Sequence, residues 1–256
     1  MKLIFLGTGT STGVPAIGCK CPVCSSSDPR DRRTRTALMV TGDDGKNIVI
    51  DTGPDFRTQC LATGLTRVDA VLYTHDHIDH IAGLDDMRRF NALMGVPIPI
   101  HATVSVLARI QTTFPWAFGT AFTHGEIPNL TQVEIKPGTP FTIGTTRIQP
   151  LSVDHGRDKV TAFRFGNCAY VTDCSAIGPE TMAALAGLDL LVLGALREKP
   201  HPKHFTFAEA AAVISILKPD RAFFVHLGHD CRHADQARFV TPPALFAHDG
   251  LVLECD

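Results

Sequence analysis

Short apolar runs, bounded by glycine, proline and polar turns, alternate along this chain with longer amphipathic segments. In the first half, the β-rich runs predict strands over Leu3–Leu6, Ala37–Thr41, Asn47–Asp51, Ala70–Tyr73 and Ile98–His101. The segments of helical character are Asp55–Thr63, Asp85–Leu93 and Val104–Thr113. A polar turn, Gly42-Asp43-Asp44-Gly45, separates two of the strands and is typical of a hairpin.

The second half repeats this plan. Its predicted strands are Gln132–Ile135, Thr146–Val153, Val160–Phe165, Ala169–Thr172, Leu188–Leu193 and Ala222–Val225, and its predicted helices are Gly178–Ala186 and Phe207–Leu217. Thr206 is a good N-cap for the last helix, with Glu209 three residues later as the partner in a capping box. The residue pattern alone therefore predicts a layered α/β fold.

Composition narrows the class of protein. The chain has 256 residues, 44% of them hydrophobic, which favours one α/β domain over residues 1–256. A net charge of −2 gives no global electrostatic case for nucleic acid or an anionic membrane. The apolar runs are too short for a signal peptide or a membrane helix of ~20 residues, so we expect a cytoplasmic protein without a membrane partner. Its eight cysteines are then expected as metal ligands or buried thiols rather than disulfides.

The most specific motif is the six-residue run His75-Asp76-His77-Ile78-Asp79-His80, which follows a predicted strand. In α/β folds ligands bind at such carboxyl ends of strands. Imidazole suits zinc and neighbouring transition metals, and carboxylate suits harder ions. The H-x-H-x-D-H spacing therefore offers ligands to two metals; the alternative is a solvated polar loop.

Three further residues follow later apolar runs in the order His155, Asp173 and His226. Singly, each has an ordinary explanation, as a polar surface residue or, for Asp173, as a helix N-cap. Together with the first motif they resemble the metallo-β-lactamase superfamily over nearly the whole chain. The resemblance implies a four-layer αββα sandwich, in which two sheets pack face to face with helices outside.

The resemblance also implies a dinuclear metal site. One metal would be held by His75, His77 and His155, the other by Asp79, His80 and His226, and Asp173 would bridge them. Zinc and manganese both suit this ligand set. Paired metals activate water at neutral pH and stabilise the attacking and leaving oxygens of an in-line displacement. Among the catalytic residues, Asp79 serves as a ligand and Asp76 is expected to orient a histidine or the attacking water, with a surface role as its alternative.

A second metal site is predicted near the N-terminus, at about residues 18–25. Cys19, Cys21 and Cys24 form a compact C-x-C-x2-C knuckle that can wrap one tetrahedral ion. The fourth ligand must come from elsewhere, and the residues leave His229, Cys231 and His233 open. The alternative is three reduced thiols without a metal.

A resemblance to a narrower subfamily favours one of these three candidates for the fourth ligand. The knuckle, preceded by Leu6-Gly7-Thr8-Gly9-Thr10, is similar to the phosphoribosyl 1,2-cyclic phosphate phosphodiesterases of the carbon–phosphorus lyase pathway. In that subfamily the fourth ligand lies three residues after the last active-site histidine, which implies His229, with Cys231 as runner-up. Four protein ligands leave no open position, so this zinc would be structural.

His204 distinguishes between hydrolase classes. Phosphodiesterase members of the superfamily place a histidine in this region to protonate the leaving oxygen, which the context His204-Phe205-Thr206 matches better than His201 does. A surface histidine flanking the next helix is the alternative.

Contacts to the substrate phosphate are predicted at Arg57, Arg88 and Thr10. The first two follow the loops that carry the motifs, and the third lies after the first strand, where backbone N–H groups can face an anion. The basic run Arg30-Asp31-Arg32-Arg33-Thr34-Arg35 is either a solvated loop or a further phosphate contact.

These observations predict a dinuclear metal-dependent phosphodiesterase acting on a small cyclic or nucleotide-like phosphodiester. The alternatives are a tRNA 3′-processing nuclease, an accessory protein of pyrroloquinoline quinone formation, and a lactone or thioester hydrolase. No insertion resembles a tRNA-binding arm, so a nucleic-acid partner is not expected, whereas a homodimer is common in this family. The segment Asp51–Arg57 departs from the pathway enzyme and leaves the exact substrate open.

Overall fold

Two seven-stranded sheets form the centre of the protein in a computed structural model that describes residues 1–118 and 127–255. The first sheet has the order β14-β1-β2-β3-β4-β5-β6 and the second has the order β13-β12-β11-β10-β9-β8-β7. The strands of the first sheet are β1 (Lys2–Gly7), β2 (Ala37–Thr41), β3 (Asn47–Ile50), β4 (Ala70–Leu72), β5 (Ile98–Ala102), β6 (Leu130–Glu134) and β14 (Val252–Glu254). Those of the second are β7 (Phe141–Ile143), β8 (Thr146–His155), β9 (Asp158–Phe165), β10 (Cys168–Val171), β11 (Leu190–Gly194), β12 (Arg221–Val225) and β13 (Ala244–Phe246).

Each sheet is antiparallel on one side and parallel on the other. In the first sheet β14, β1, β2 and β3 pair antiparallel, and β3 to β6 pair parallel. In the second sheet β7 to β10 pair antiparallel, and β10 to β13 pair parallel. The parallel strands end at a common edge, where loops with functional side chains meet.

Helices cover the outer faces of both sheets. They are α1 (Phe56–Thr63), α2 (Ile78–Ile81), α3 (Met87–Met94), α4 (Val104–Thr113), α5 (Pro179–Ala184) and α6 (Phe207–Leu217). Apolar residues of α1, α3 and α4 pack on the first sheet, and those of α6 pack on the second. Residues between the sheets, among them Phe5, Ile50 and Phe163, form the central cluster. This confirms the four-layer αββα arrangement that the family resemblance implied.

Strand β11 shows how side-chain alternation builds these layers. Leu190 and Val192 enter the cluster between the sheets, whereas Leu191 and Leu193 enter the cluster under the helices. All four are fully buried. Because strands covered on both faces bury every side chain, such strands read as continuous apolar runs rather than as an alternating pattern. Each buried leucine or valine contributes about 1.5–3 kcal/mol relative to an exposed one.

Most predicted elements are present within a few residues of their expected bounds. The hairpin at Gly42–Gly45 joins the antiparallel strands β2 and β3. The capping box is also confirmed, since Thr206 Oγ1 accepts from the Glu209 N–H and the Glu209 carboxylate accepts from the Thr206 N–H. The prediction did not include the short strands β7, β13 and β14 or the single-turn helix α2, all of which are too short to carry a periodic pattern.

Among the described residues, no helix combines the length and the apolar character needed to cross a membrane.

Candidate metal centre

The first cluster of candidate ligands lies beyond the end of β4. His75 comes three residues after Leu72, the last residue of that strand, and His77 directly precedes α2. Asp79 and His80 belong to the single turn of α2. The tight strand-to-helix connection presents both a histidine pair and an aspartate–histidine pair to the same space.

The second sheet supplies the other side of the cluster. His155 is the last residue of β8 rather than a loop residue after it, Asp173 lies two residues beyond β10, and His226 directly follows β12. The backbones of Asp173 (φ 47°) and His226 (φ 59°) are left-handed. This conformation costs roughly 1–2 kcal/mol for a residue with a Cβ and persists where the surrounding structure enforces it.

One group of donor atoms comes from His75, His77, His155 and Asp173, all within 4.8 Å of one another. His75 Nε2 lies 2.9 Å from His77 Nδ1 and 4.0 Å from Asp173 Oδ2. Three imidazoles and one carboxylate at these separations could hold one divalent cation.

An adjoining group comes from Asp79, His80 and His226, again within 4.8 Å. His80 Nε2 lies 3.4 Å from Asp79 Oδ2 and 3.3 Å from Asp173 Oδ1. Asp173 Oδ2 lies 3.2 Å from His226 Nε2. The two oxygens of Asp173 therefore reach both groups, which is the position expected of a bridging carboxylate.

His226 carries the clearest sign that a cation fits here. Its ring is almost fully buried, yet neither ring nitrogen has a hydrogen-bond partner among the residues that the structure describes, because the 3.2 Å approach to Asp173 does not have hydrogen-bonding geometry. A buried polar nitrogen without a partner costs free energy, which a bound cation would recover.

The electrostatics of the cluster also suit a cation. Burial, assisted by His80, keeps the pKa of His75 well below its ordinary value, so the imidazole is in the neutral form that binds metals. Burial alone would raise the pKa of Asp173, but His226 and His80 outweigh it and keep the carboxylate ionised. For His80, burial lowers the pKa, and the carboxylates of Asp173 and Asp51 more than compensate and raise it.

Asp51 is a residue that sequence reasoning missed. It follows β3, is fully buried, and accepts hydrogen bonds from the Thr74 N–H at 2.9 Å and the Thr74 hydroxyl at 2.7 Å. Its Oδ2 lies 2.7 Å from His80 Nδ1, which directs His80 Nε2 into the cluster. An aspartate at the end of a buried strand, one strand away from the histidine motif, was the available signal.

Other groups fix the remaining rings. His155 Nδ1 donates to the Lys203 carbonyl at 2.8 Å, and His75 Nδ1 lies 3.0 Å from the Thr74 hydroxyl. Both contacts leave Nε2 free to face the cluster, as the outer partners of metal-binding histidines do.

His204 reaches the same space from the loop between β11 and α6. Its Nδ1 lies 3.9 Å from Asp173 Oδ2, and its ring stacks on His226 with centroids 4.6 Å apart. Burial, followed by the proximity of His226, lowers the pKa of His204 to about 3. The neighbouring His201 stands further out, with its ring 4.9 Å from that of His204.

The three cysteines of the knuckle converge on one histidine. His229 Nδ1 lies 3.3 Å from Cys19 Sγ and 3.4 Å from the sulfurs of Cys21 and Cys24. These separations approach the roughly 3.6 Å N–S edge of a tetrahedral zinc site. The Cys24 N–H, followed by His229, lowers the pKa of Cys21 to about 6, which favours its thiolate. The runner-up, Cys231, is not in this group; its thiol is buried and donates to the Arg232 carbonyl.

A cavity of about 450 Å³ opens beside the histidine cluster. It is lined by His75, Asp76, His77, Ser105, Val106, Asp158, Lys159 and Val160. Asp76 therefore faces open space next to the candidate metal ligands. The cavity is polar, and Lys159 is its cationic lining residue.

The residues predicted to contact the substrate phosphate are Arg57, Arg88 and Thr10, and their positions relative to this cavity differ from the prediction's expectation of lining residues. Arg57, at the start of α1, lines a separate groove of about 430 Å³ between α1 and α3, together with Arg89 and Phe90. Arg88, on α3, forms an ion pair at 3.4 Å with Asp85 in the turn that precedes this helix. The Thr10 N–H donates to the Leu227 carbonyl at 3.1 Å. None of the three is among the lining residues of the cavity beside the histidines.

Comparison with known proteins identifies the family to which this chain belongs. Residues 46–227 match the family described as a beta-lactamase superfamily domain. An octanoyltransferase of Porphyromonas gingivalis is 38% identical over 253 residues, covering 98% of this chain and 51% of that protein. This chain thus spans about half the length of that relative. Coenzyme PQQ synthesis protein B of Methylobacterium nodulans is 29% identical over 229 residues, covering 75% of this chain and 72% of that protein.

Solved structures agree with the fold. A structure described as a new diphosphatase from the PhnP family is 40% identical, has a TM-score of 0.91, and is matched over 98% of this chain and 96% of that one. Zinc-bound PqqB from Methylobacterium extorquens matches with a TM-score of 0.81 at 20% identity over the full length of both chains. The short form of human tRNase Z matches with a TM-score of 0.73 at 19% identity over 99% of both chains. At these lower identities the likeness concerns the fold alone.

Proposed function

Because this chain belongs to the beta-lactamase superfamily and is a hydrolase of that fold, we propose that it hydrolyses a small phosphodiester with the aid of two divalent metal ions. The observation that carries the proposal is the pair of adjoining ligand groups that share Asp173. A bound metal pair activates water at neutral pH and stabilises the attacking and leaving oxygens of in-line displacement at phosphorus.

Seven residues would hold the two ions. The first ion would be held by His75, His77 and His155, the second would be held by Asp79, His80 and His226, and Asp173 would serve both. Asp51, the Lys203 carbonyl and Thr74 hold the rings of His80, His155 and His75 so that the same nitrogen of each faces inward. We propose zinc or manganese, since this mixture of imidazole and carboxylate suits either.

His204 is the residue that assists the leaving oxygen. The low pKa of His204 makes the free ring neutral at neutral pH. A phosphate anion beside the ring raises that pKa and favours the protonated form, which can then pass its proton to the departing alkoxide. General acid catalysis of this kind is worth about 10²–10⁴-fold, most for the poorest leaving groups.

The substrate would occupy the cavity beside His75 and His77. Asp76 lines this cavity together with the two histidines and would orient the attacking water or a neighbouring imidazole. Ser105 and Lys159 also line the cavity. They would offer the substrate a hydroxyl and an ammonium group, and the latter pairs with Asp154 in this structure. A cavity of about 450 Å³ suits a small molecule such as a nucleotide-sized ester rather than a folded RNA.

A diphosphate linkage is a second candidate for the bond that is cleaved. It is favoured by the diphosphatase of the PhnP family, which is 40% identical and covers nearly the whole of both chains. The same ligand arrangement serves both reactions, because each is a displacement at phosphorus with charge on the equatorial oxygens.

The relatives named for other activities support these proposals less. Octanoyl transfer is the activity for which a protein about twice as long as the matched region is named. The coenzyme PQQ synthesis proteins keep an accessory role open, but seven converging ligand side chains favour catalysis.

The cysteine cluster would hold a third, structural zinc. Three sulfurs and one imidazole complete a tetrahedral set and leave no position for substrate. The bound ion would tie the N-terminal knuckle to the loop that follows β12.

The test is a hydrolysis assay of the metal-loaded protein on three substrates: bis(p-nitrophenyl) phosphate, a panel of cyclic nucleotides, and a nucleoside diphosphate sugar. We expect release of p-nitrophenol with zinc or manganese and loss of activity in Asp173→Ala. Hydrolysis of the diphosphate with little hydrolysis of the diesters would select the second candidate. No phosphorus–oxygen cleavage with all metals loaded would contradict both.

A further inference from the structure

The basic run at residues 30–35 has a role that neither of its sequence interpretations included. Arg30 pairs with Asp28 on the surface, and Arg35 pairs with Asp55. Arg33, by contrast, is completely buried, with a side chain that is 0% exposed. Since burying a guanidinium is costly unless its donors are used, Arg33 calls for a specific set of partners.

Those partners belong to the loop after β12. Arg33 Nη1 donates to the Gly228 carbonyl at 3.0 Å, and Nη1 and Nη2 both lie 3.4 Å from the Cys231 carbonyl. These two carbonyls stand on either side of His229. The planar fork of the guanidinium therefore spans the segment that presents this imidazole to the knuckle.

Asp31 completes the arrangement. Its Oδ1 accepts from Arg33 Nη2 at 3.2 Å and from the His233 N–H at 2.7 Å, and the carboxyl is as buried as the guanidinium. The Arg33–Asp31 pair thus contacts the loop at Gly228, Cys231 and His233.

The main chain of Arg33 holds the other side of the metal site. Its N–H donates to the Val14 carbonyl at 2.7 Å, and the Val14 N–H donates to the Arg33 carbonyl at 2.8 Å. Two residues further on, the Ala16 N–H lies 3.3 Å from Cys24 Sγ. One residue therefore connects the knuckle, through its backbone, with the His229 loop, through its side chain.

We propose that the buried Arg33–Asp31 pair is the positioning element that presents His229 to the three thiolates, so that metal affinity at the cysteine cluster depends on Arg33 although Arg33 contacts no ligand atom. The inference rests on the proposed metal occupancy of that cluster. It goes beyond the ligand set, because it assigns a function to two residues outside it. Partners one step removed from a metal typically change its affinity by about 10–100-fold.

The test uses Co²⁺ as the probe, because thiolate ligands give an intense sulfur-to-cobalt absorption band that histidine and carboxylate ligands do not. Titration against a competing chelator then reports the affinity of the cysteine cluster separately from that of the histidine cluster. We expect Arg33→Met to weaken that affinity by about tenfold or more, with the band unchanged in position at saturation. Arg33→Lys should weaken it as well, since one ammonium group cannot span both carbonyls.

The controls separate positioning from general stability. Arg30→Met, in the same run but on the surface, should bind Co²⁺ as the wild type does. The double variant Arg33→Met with Asp31→Asn removes both buried charges and should still show the loss. Circular dichroism establishes that each variant is folded.

Two results would overturn the inference. One is a folded Arg33→Met or Arg33→Lys protein whose cysteine cluster binds Co²⁺ with wild-type affinity. The other is failure of both the Arg33→Lys variant and the double variant to fold, because the pair would then be a general stabiliser of the protein. Absence of the thiolate band in the wild type would instead contradict the proposed metal occupancy itself.

Discussion

At the scale of single residues, the candidate metal ligands could be predicted from the sequence, whereas the residues that hold those ligands in place could not. The seven candidate ligands of the histidine cluster follow a recognisable spacing along the sequence, and the structure brings all seven together. Asp51, which directs His80, and Arg33, which spans the His229 loop, gave no comparable pattern. Their roles depend on contacts across 29 and about 195 residues of sequence, and no local rule encodes such contacts.

Asp51 can be used to test whether a residue that contacts a candidate ligand changes the metal affinity of the histidine cluster. Asp51→Asn keeps the shape of the side chain but removes the charge that faces His80 Nδ1. We expect metal affinity of the histidine cluster to fall by about 10–100-fold while the cysteine cluster is unaffected. Competition titration with a chelator measures both, and Asp69→Asn, a carboxylate paired with Arg67 near the surface, is the matched control. Unchanged affinity would show that Asp51 has only a packing role.

His204 is tested by varying the leaving group. His204→Ala should lower kcat on alkyl phosphodiesters by about 10²–10⁴-fold and on bis(p-nitrophenyl) phosphate much less, because an aryl oxide leaves without a proton. His201→Ala, the neighbouring histidine further from Asp173, should change neither rate. Equal losses on both substrates would assign His204 to metal or substrate binding instead of acid catalysis.

At the scale of elements, the position of α2 decides where Asp79 and His80 point. The helix is a single turn, and its attachment comes from tertiary contacts: the Thr52 N–H donates to the His80 carbonyl at 2.8 Å, and the Gly83 N–H donates to the Thr52 carbonyl at 2.8 Å. A segment of four residues does not form a stable helix in isolation. This explains why sequence periodicity found α3, α4 and α6 but not α2.

Gly83 is the residue that permits this close approach. A Cβ on Gly83 would lie 2.3 Å from the Gly53 carbonyl oxygen and 2.8 Å from Phe56 Cβ. We therefore expect Gly83→Ala to destabilise the protein by about 1–3 kcal/mol, through displacement of α2, and to lower activity. Thermal unfolding provides the measurement. Gly178→Ala, where a Cβ meets nothing within 4 Å, should unfold as the wild type does; a similar loss in both would exclude the steric explanation.

At the scale of the whole molecule, the site lies where two sheets meet, and the sheets contribute four and three of the seven candidate ligands. The first sheet provides the residues from His75 to His80, and the second provides His155, Asp173 and His226. The apolar pattern of the sequence predicted the layered fold, and the family resemblance carried by these residues implied the shared cluster. The lining of the cavity could not be predicted in this way, because it depends on how distant segments pack: Arg57 and Arg88 follow the motif in sequence but are not among its lining residues, whereas Ser105 and Lys159 are.

Burying many histidines in one place should make the metal-free protein sensitive to acid. The pKa of His204 is lowered to about 3 and that of His233 to about 4, from 6.5, and burial also lowers those of His75 and His155. The unfolded chain then binds more protons than the folded chain below pH 6.5, so the free energy of unfolding falls as the pH drops toward 4. His80, whose pKa is raised, contributes in the opposite sense, with stability that is present below pH 6.5 and lost as the pH rises through its folded value.

Chemical denaturation of the metal-free protein across this range measures the effect. His204→Gln removes one of the depressed groups and should show a shallower decline between pH 6.5 and 4. An equally steep decline in this variant would mean that His204 does not contribute to the acid sensitivity.

The proposed function requires above all that Asp173 joins two metal ions in one site. Crystals of the protein loaded with manganese or zinc, measured for anomalous scattering, test that claim most directly. We predict two peaks about 3.5–4 Å apart beside Asp173, each within bonding distance of one of its oxygens, and a third peak among Cys19, Cys21, Cys24 and His229 when zinc is used. A single peak at the histidine cluster, or a pair that Asp173 does not contact, would contradict the account.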